Sequence, residues 1–280
     1  MSRIRMIIAL AVALLSTAAC KSAYELLLEG NDVELKYATA FDDFENGKFS
    51  RAARMFESLS PLVRGSEKED TVQYYWALSN YRYKDYYTAE TNFNSFITTF
   101  PLSPFTEAAT YYRIDCMYRT TLRYELDQTP TRKTVAAISE YLTDYPDNPY
   151  QEECARMLDD LGDRLDKKAF ENARLYYKME DYKAATVALR NVLKDNSDNR
   201  YREDILYTLA MASFKYADLS YLEKQKERFL LFVDDYLNFV GEFPESDYRR
   251  ELDSHYRRAQ RFLGRNTSIA AEPEETEAEE

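Results

Sequence analysis

Chemistry at a protein site needs nucleophiles, proton carriers or metal ligands. This chain of 280 residues has one histidine, His255, and three cysteines, Cys20, Cys116 and Cys154. A lone histidine leaves catalytic triads and the commoner zinc sites without material. His255 lies in an arginine-rich segment and is read as solvated. The six glycines are scattered, so no phosphate-cradling loop is present. The carboxylate pairs Asp159-Asp160 and Asp234-Asp235 fall in helical stretches, where neighbours point apart, and are read as solvated faces. No enzyme activity, cofactor or metal is expected. What remains is recognition chemistry. Tyr74, Tyr75, Tyr111 and Tyr112 recur beside Arg113 and Arg119. Rings with guanidinium groups suit an extended peptide ending in an aromatic and a carboxylate. The competing reading of each ring is packing between helices.

Rings at such positions must be held by helices. Ala89 follows Ala77 after twelve residues, Phe93 after four more and Pro101 after eight more. Two helices cross closely where both carry alanine, and an aromatic beside the crossing fills the gap. Ala40, Ala52 and Phe56 repeat the spacing upstream, and Ala173, Ala185 and Leu189 repeat it downstream. Helix ends recur as Phe96-x-x-x-Phe100-Pro101, Tyr141-x-x-x-Tyr145-Pro146 and Phe239-x-x-x-Phe243-Pro244, each followed by an aromatic: Phe105, Tyr150, Tyr248. Two patterns recurring together predict an all-α, right-handed helical-repeat solenoid of about five helix pairs plus a capping helix. Ser66 to Glu69 has the form of a capping box. Ser103-Pro104, Thr129-Pro130 and Asn148-Pro149 mark helix starts, and Ser246 is placed to cap a last helix ending at Leu263.

The alanine, aromatic and proline spacing resembles that of tetratricopeptide repeats. Residues 20 to 263 resemble the BamD-like lipoproteins of the outer-membrane β-barrel assembly machine. The resemblance implies a non-enzymatic scaffold on the periplasmic face of an outer membrane, helping to recruit and insert unfolded outer-membrane proteins. Implied partners are the periplasmic domains of the assembly channel and other assembly lipoproteins. Repeats 31–147 would carry the substrate groove. Repeats 148–263 would dock the channel through Tyr201, Arg202, Arg249, Arg250 and Arg257. A general repeat adaptor for cell-wall or division proteins is the alternative, since such a fold serves many purposes.

The start of the chain adds an anchor. Arg3 and Arg5 precede an apolar run, Met6 to Leu15, too short for a stable span, and small residues lead to Cys20. This resembles a lipoprotein signal over 1–19, with Cys20 lipidated and 20–30 a tether. An ordinary signal cut near Ala19 is the alternative. The formal net charge is −12, and six glutamates lie beyond Arg265 with no lysine or arginine among them. Residues 264–280 are read as an acidic disordered tail. No large basic field remains, so nucleic acid is not an expected partner. Cys116 and Cys154 are read as separately buried thiols, with a disulfide as the alternative.

Overall fold

A computed structural model describes residues 23–269. Among them are twelve α-helices and no strand. The fold is an all-α helical repeat of tetratricopeptide type. One compact unit holds the described residues to 121 together with 129–155; the other holds 122–128 and the described residues from 156.

The first unit contains α1 (Ala23–Glu29), α2 (Val33–Glu45), α3 (Phe49–Leu59), α4 (Glu69–Arg82), α5 (Tyr86–Thr99), α6 (Thr106–Thr120) and α7 (Thr129–Asp144). From α2 onward each helix packs on the next in sequence. Helix α8 (Gln151–Lys178) gives its first turn to this unit and the rest to the second. There it is followed by α9 (Tyr182–Asp195), α10 (Arg202–Asp218), α11 (Leu222–Glu242) and α12 (Arg249–Ile269).

The expected small-residue crossings are buried. Ala40, Ala52 and Phe56 sit in one core, Ala77, Ala89 and Phe93 in a second, and Ala173 and Leu189 in a third; Ala185 is buried too. Alanine at the crossing removes the side-chain bulk that would hold the helices apart, and the ring beside it keeps packing dense. The underlying period is 37 residues, seen as Ala40 and Ala77, then as Ala173 and Ala210. The same step sets the turns. Gly47 and Lys84 both adopt positive φ (73° and 70°), as does Glu180 (62°). Each lies just past a helix end. The amide after it reaches back five residues, as in Asp85 N–H to the Asn80 carbonyl at 3.0 Å, which closes the last turn.

A second device recurs in the same register. A serine or asparagine accepts from the amide two residues on, in Ser103/Phe105, Asn148/Tyr150, Asn199/Tyr201 and Ser246/Tyr248. The aromatic so placed stacks on a ring of an earlier helix: Phe105 on Tyr74, Tyr150 on Tyr111, Tyr201 on Phe170 and Tyr248 on Tyr207. In the first pair Lys68 takes the aromatic's place, its amide donating to Ser66 Oγ and its ammonium lying 4.8 Å from the Tyr37 ring.

The structure corrects these sequence expectations. Ser66 to Glu69 is not a capping box at the helix start. The Ser66 hydroxyl accepts from Lys68, while Glu69 accepts from the Gly65 amide at 2.7 Å. Pro104 and Pro149 lie in the turn, and their helices begin at Thr106 and Gln151. Part of the stretch read as a tether forms α1. Its Tyr24, Leu27 and Leu28 pack on the first core, and the Tyr24 hydroxyl donates to the Arg51 carbonyl at 2.6 Å. The last helix also continues past Leu263, to Ile269.

Candidate functional site

The six residues read as a groove all lie in the first unit, on α4 and α6, but the structure uses them differently. Tyr74 and Tyr111 are buried. Tyr74 stacks on Phe105 with centroids 4.6 Å apart, and Tyr111 on Tyr150 at 3.6 Å and 4°. Both are thereby committed to packing. Tyr75 and Tyr112 are half-buried. Tyr75 meets Phe41 and Phe44 edge-on, and Tyr112 lies over Phe93 and beside Tyr81.

Arg113 and Arg119 have separate partners. Arg113 donates from Nη1 to Asn94 Oδ1 at 3.2 Å, and its buried Nε has no protein partner. Arg119 is the more accessible, with 43% of its side chain exposed. Its Nε donates to Asp115 Oδ2 at 2.5 Å, and its guanidinium lies 5.2 Å from the Tyr86 ring and 5.8 Å from the Tyr81 ring. Asp115 is buried and also accepts from the Tyr81 hydroxyl at 2.6 Å. Burial, then this hydrogen bond to a carboxylate, pushes the Tyr81 phenol well above its ordinary value. The phenol therefore stays protonated and keeps donating. Arg119 is thus held near two rings by its Nε, leaving its outer amino groups to fork onto a carboxylate. Tyr81, Tyr86 and Asp115 were not singled out as site residues. The signal available was Asp115 and Arg119, four apart on one helix.

The residues read as a docking surface lie in the second unit and divide in the same way. Tyr201 stacks on Phe170, and its hydroxyl donates to Asp163. Arg202 forms a two-pronged pair with Glu242, both bonds 2.6 Å. Arg249 donates to the Pro244 carbonyl at 2.8 Å. Arg250 and Arg257 are exposed and have no ionic partner among the described residues. With Arg249 they line a cleft of about 500 Å³ that also holds Glu245, Asp247 and Asp253.

The groups surveyed for catalysis take structural positions. His255 is half-buried, not solvated: its ring lies 4.1 Å from that of Phe214, and burial lowers its pKa. Asp235 is not on a solvated face either. Only 12% of its side chain is exposed, and it accepts from Arg190 and Ser213. Burial raises its pKa despite those donors. Asp159 pairs with Arg200 and Asp160 with Arg164. Cys116 and Cys154 are buried and unbridged. Burial pushes their thiols up to about 12 and about 11, so neither forms a thiolate near neutral pH. Among the described residues no three His, Cys, Asp or Glu side chains gather as a metal site. No described helix is long and apolar enough to cross a membrane. Cys20 lies outside the described residues.

The family model YfiO, described as an outer membrane lipoprotein, matches residues 30–229. The outer membrane protein assembly factor BamD of Caulobacter vibrioides is 24% identical over 187 residues. That alignment covers 67% of this chain and 61% of the relative's length.

Proposed function

We propose that this chain, which belongs to the YfiO family of outer membrane lipoproteins, is a lipid-anchored scaffold for outer-membrane β-barrel assembly. The observation that carries the reading is the similarity to a BamD assembly factor over 187 residues. Cys20 supplies the anchor, its acyl chains holding the repeats at the periplasmic face of the outer membrane. The first unit binds unfolded barrel segments, with Arg119 taking the carboxylate and Tyr75 and Tyr112 offering ring faces. Tyr74 and Tyr111 serve by holding those helices in register. The second unit docks the periplasmic domains of the assembly channel, with Arg250 and Arg257 available to acidic groups. Other assembly lipoproteins complete the set of partners. No covalent step is involved; recognition is by shape, ring contact and ion pairing.

Depletion tests the reading. Outer-membrane β-barrel proteins should fall as the chain is depleted. Normal barrel levels with misshapen cells would overturn it in favour of an adaptor for cell-wall or division proteins. Cys20→Ala should move the protein to the soluble periplasmic fraction; retention with membranes would remove the lipid anchor from the account.

A further inference from the structure

We propose that the acidic C-terminal segment, residues 272–280, docks on an arginine stripe of α12 and shields it. Arg250, Arg257 and Arg261 are seven and eleven residues apart. At 3.6 residues per turn these positions fall within roughly 20° of one line along the helix. All three are exposed. Of the acids nearest along the helix, Glu251 accepts from Tyr207, while Asp253 accepts from Tyr236 and lies 3.8 Å from Arg249. Arg258, off the stripe, pairs with Asp218. Glu245, Asp247 and Asp253 line one cleft with Arg249, Arg250 and Arg257, so the early end of the stripe, as far as Arg257, is partly neutralised.

The late end is not. Tyr256, Arg257, Gln260 and Arg261 line a cleft of about 490 Å³ with no carboxylate in its wall. Its floor is fixed, because Tyr256 stacks on Tyr236 at 4.2 Å and its hydroxyl accepts from Gln260 at 2.9 Å. Two guanidinium groups over a fixed polar floor make a receptor for carboxylates.

The occupant we assign is the chain's own end. Residues 272–280 contain six glutamates and no lysine or arginine. Helix α12 ends at Ile269. At 1.5 Å per residue, Arg261 is about 12 Å and Arg257 about 18 Å back along it. At 3.3–3.6 Å per extended residue, Glu274 to Glu277 reach roughly 17–29 Å from Ile269. The segment can therefore turn back and set several carboxylates against both arginines. Each exposed pair alone is weak, but tethering raises the local concentration of carboxylate to the millimolar range.

Occupancy of the stripe does not depend on the proposed function. Its consequence does, resting on the docking reading above: an acidic partner at Arg250 and Arg257 must first displace the segment.

The test is paramagnetic broadening in the purified chain with Cys20→Ser and a nitroxide on Thr276→Cys, the two buried thiols remaining unlabelled. The expected result is strong broadening of α12 amides on the stripe side at roughly 0.01 M salt, lost at 1 M, where the screening length falls from ~30 Å to ~3 Å. Arg257→Glu with Arg261→Glu should also abolish it, as should Glu274, Glu275 and Glu277→Gln, which leave the folded helix untouched. Broadening that merely declines with distance from Ile269, unchanged by salt or by either variant, overturns the proposal. So does broadening that vanishes when labelled chain is diluted with unlabelled chain, since the occupant would then be a second copy. Partner binding is measured separately, so a failed docking reading leaves this result standing.

Discussion

The stacked aromatic after each turn is the device most open to a quantitative test, and Tyr150 is the best copy. Its ring lies 3.6 Å from that of Tyr111 at an interplanar angle of 4°. Its amide donates to Asn148 Oδ1 at 2.9 Å. Tyr150→Ala removes the stack but leaves the turn. Truncating a fully buried aromatic costs roughly 3–5 kcal/mol. Tyr150 is half-buried, so about half of that applies, near ~2 kcal/mol, of which the ring pair itself supplies about 1 kcal/mol. The chain's single tryptophan, Trp76, lies in the same unit, so its fluorescence follows the unfolding of that unit in urea. With a urea dependence of roughly 1–3 kcal/mol/M, the midpoint should fall by about 1 M. A cycle with Tyr111→Leu, which keeps an apolar group in the core, should return a coupling of about 1 kcal/mol. Additivity within ~0.3 kcal/mol would refute a stapling role for the pair and leave only ordinary burial.

Further outcomes follow from other parts of the fold. Lys84 holds φ at 70° where a side chain is strained, so Lys84→Gly should raise stability by roughly 0.5–1 kcal/mol in urea unfolding. Lys36 is buried and donates from Nζ to the Leu28 carbonyl at 2.9 Å and to Ser58 Oγ at 3.2 Å. Lys36→Met strands those acceptors, costing about 1–3 kcal/mol and speeding amide exchange in α1. His255 has its pKa depressed by burial, so the unfolded chain takes up its proton first as pH falls. Stability contributed by neutral His255 is full above about pH 6.5 and is lost as pH falls through its lower folded value. Melting of His255→Phe, which keeps a ring beside Phe214, should lack that slope. Arg119→Glu should weaken binding of a barrel-protein C-terminal peptide more than Arg113→Glu, in fluorescence anisotropy, because Arg119 is the more exposed.

Much of the fold was legible because alanine crossings leave a sparse but rigid mark. Ala77, Ala89 and Phe93, with copies at Ala40 and Ala173, located the helix pairs correctly. The 37-residue period was harder to see. Its first copy carries Lys68 where later copies carry an aromatic, and 59 residues separate Tyr111 from Phe170 in place of 37. That longer interval contains the loop 122–128, whose carbonyls at Tyr124, Glu125 and Leu126 are gathered by the Lys168 ammonium. The site was less legible. Helical spacing places a ring on a face, but what covers that face comes from residues about 31 to 41 positions away. Tyr74 could be recognised as buried only once Phe105 was known to lie on it. In the same way Arg202 reads as a free charge until Glu242, forty residues on, is brought beside it.

The scaffold role is tested most directly by recovering the tagged native protein from membranes in mild detergent and identifying by mass spectrometry what stays bound. A stoichiometric outer-membrane barrel protein with periplasmic domains is the predicted partner, and its recovery should fall with Arg250→Glu and Arg257→Glu. Cell-wall enzymes or division proteins in its place would keep the fold and contradict the assembly function.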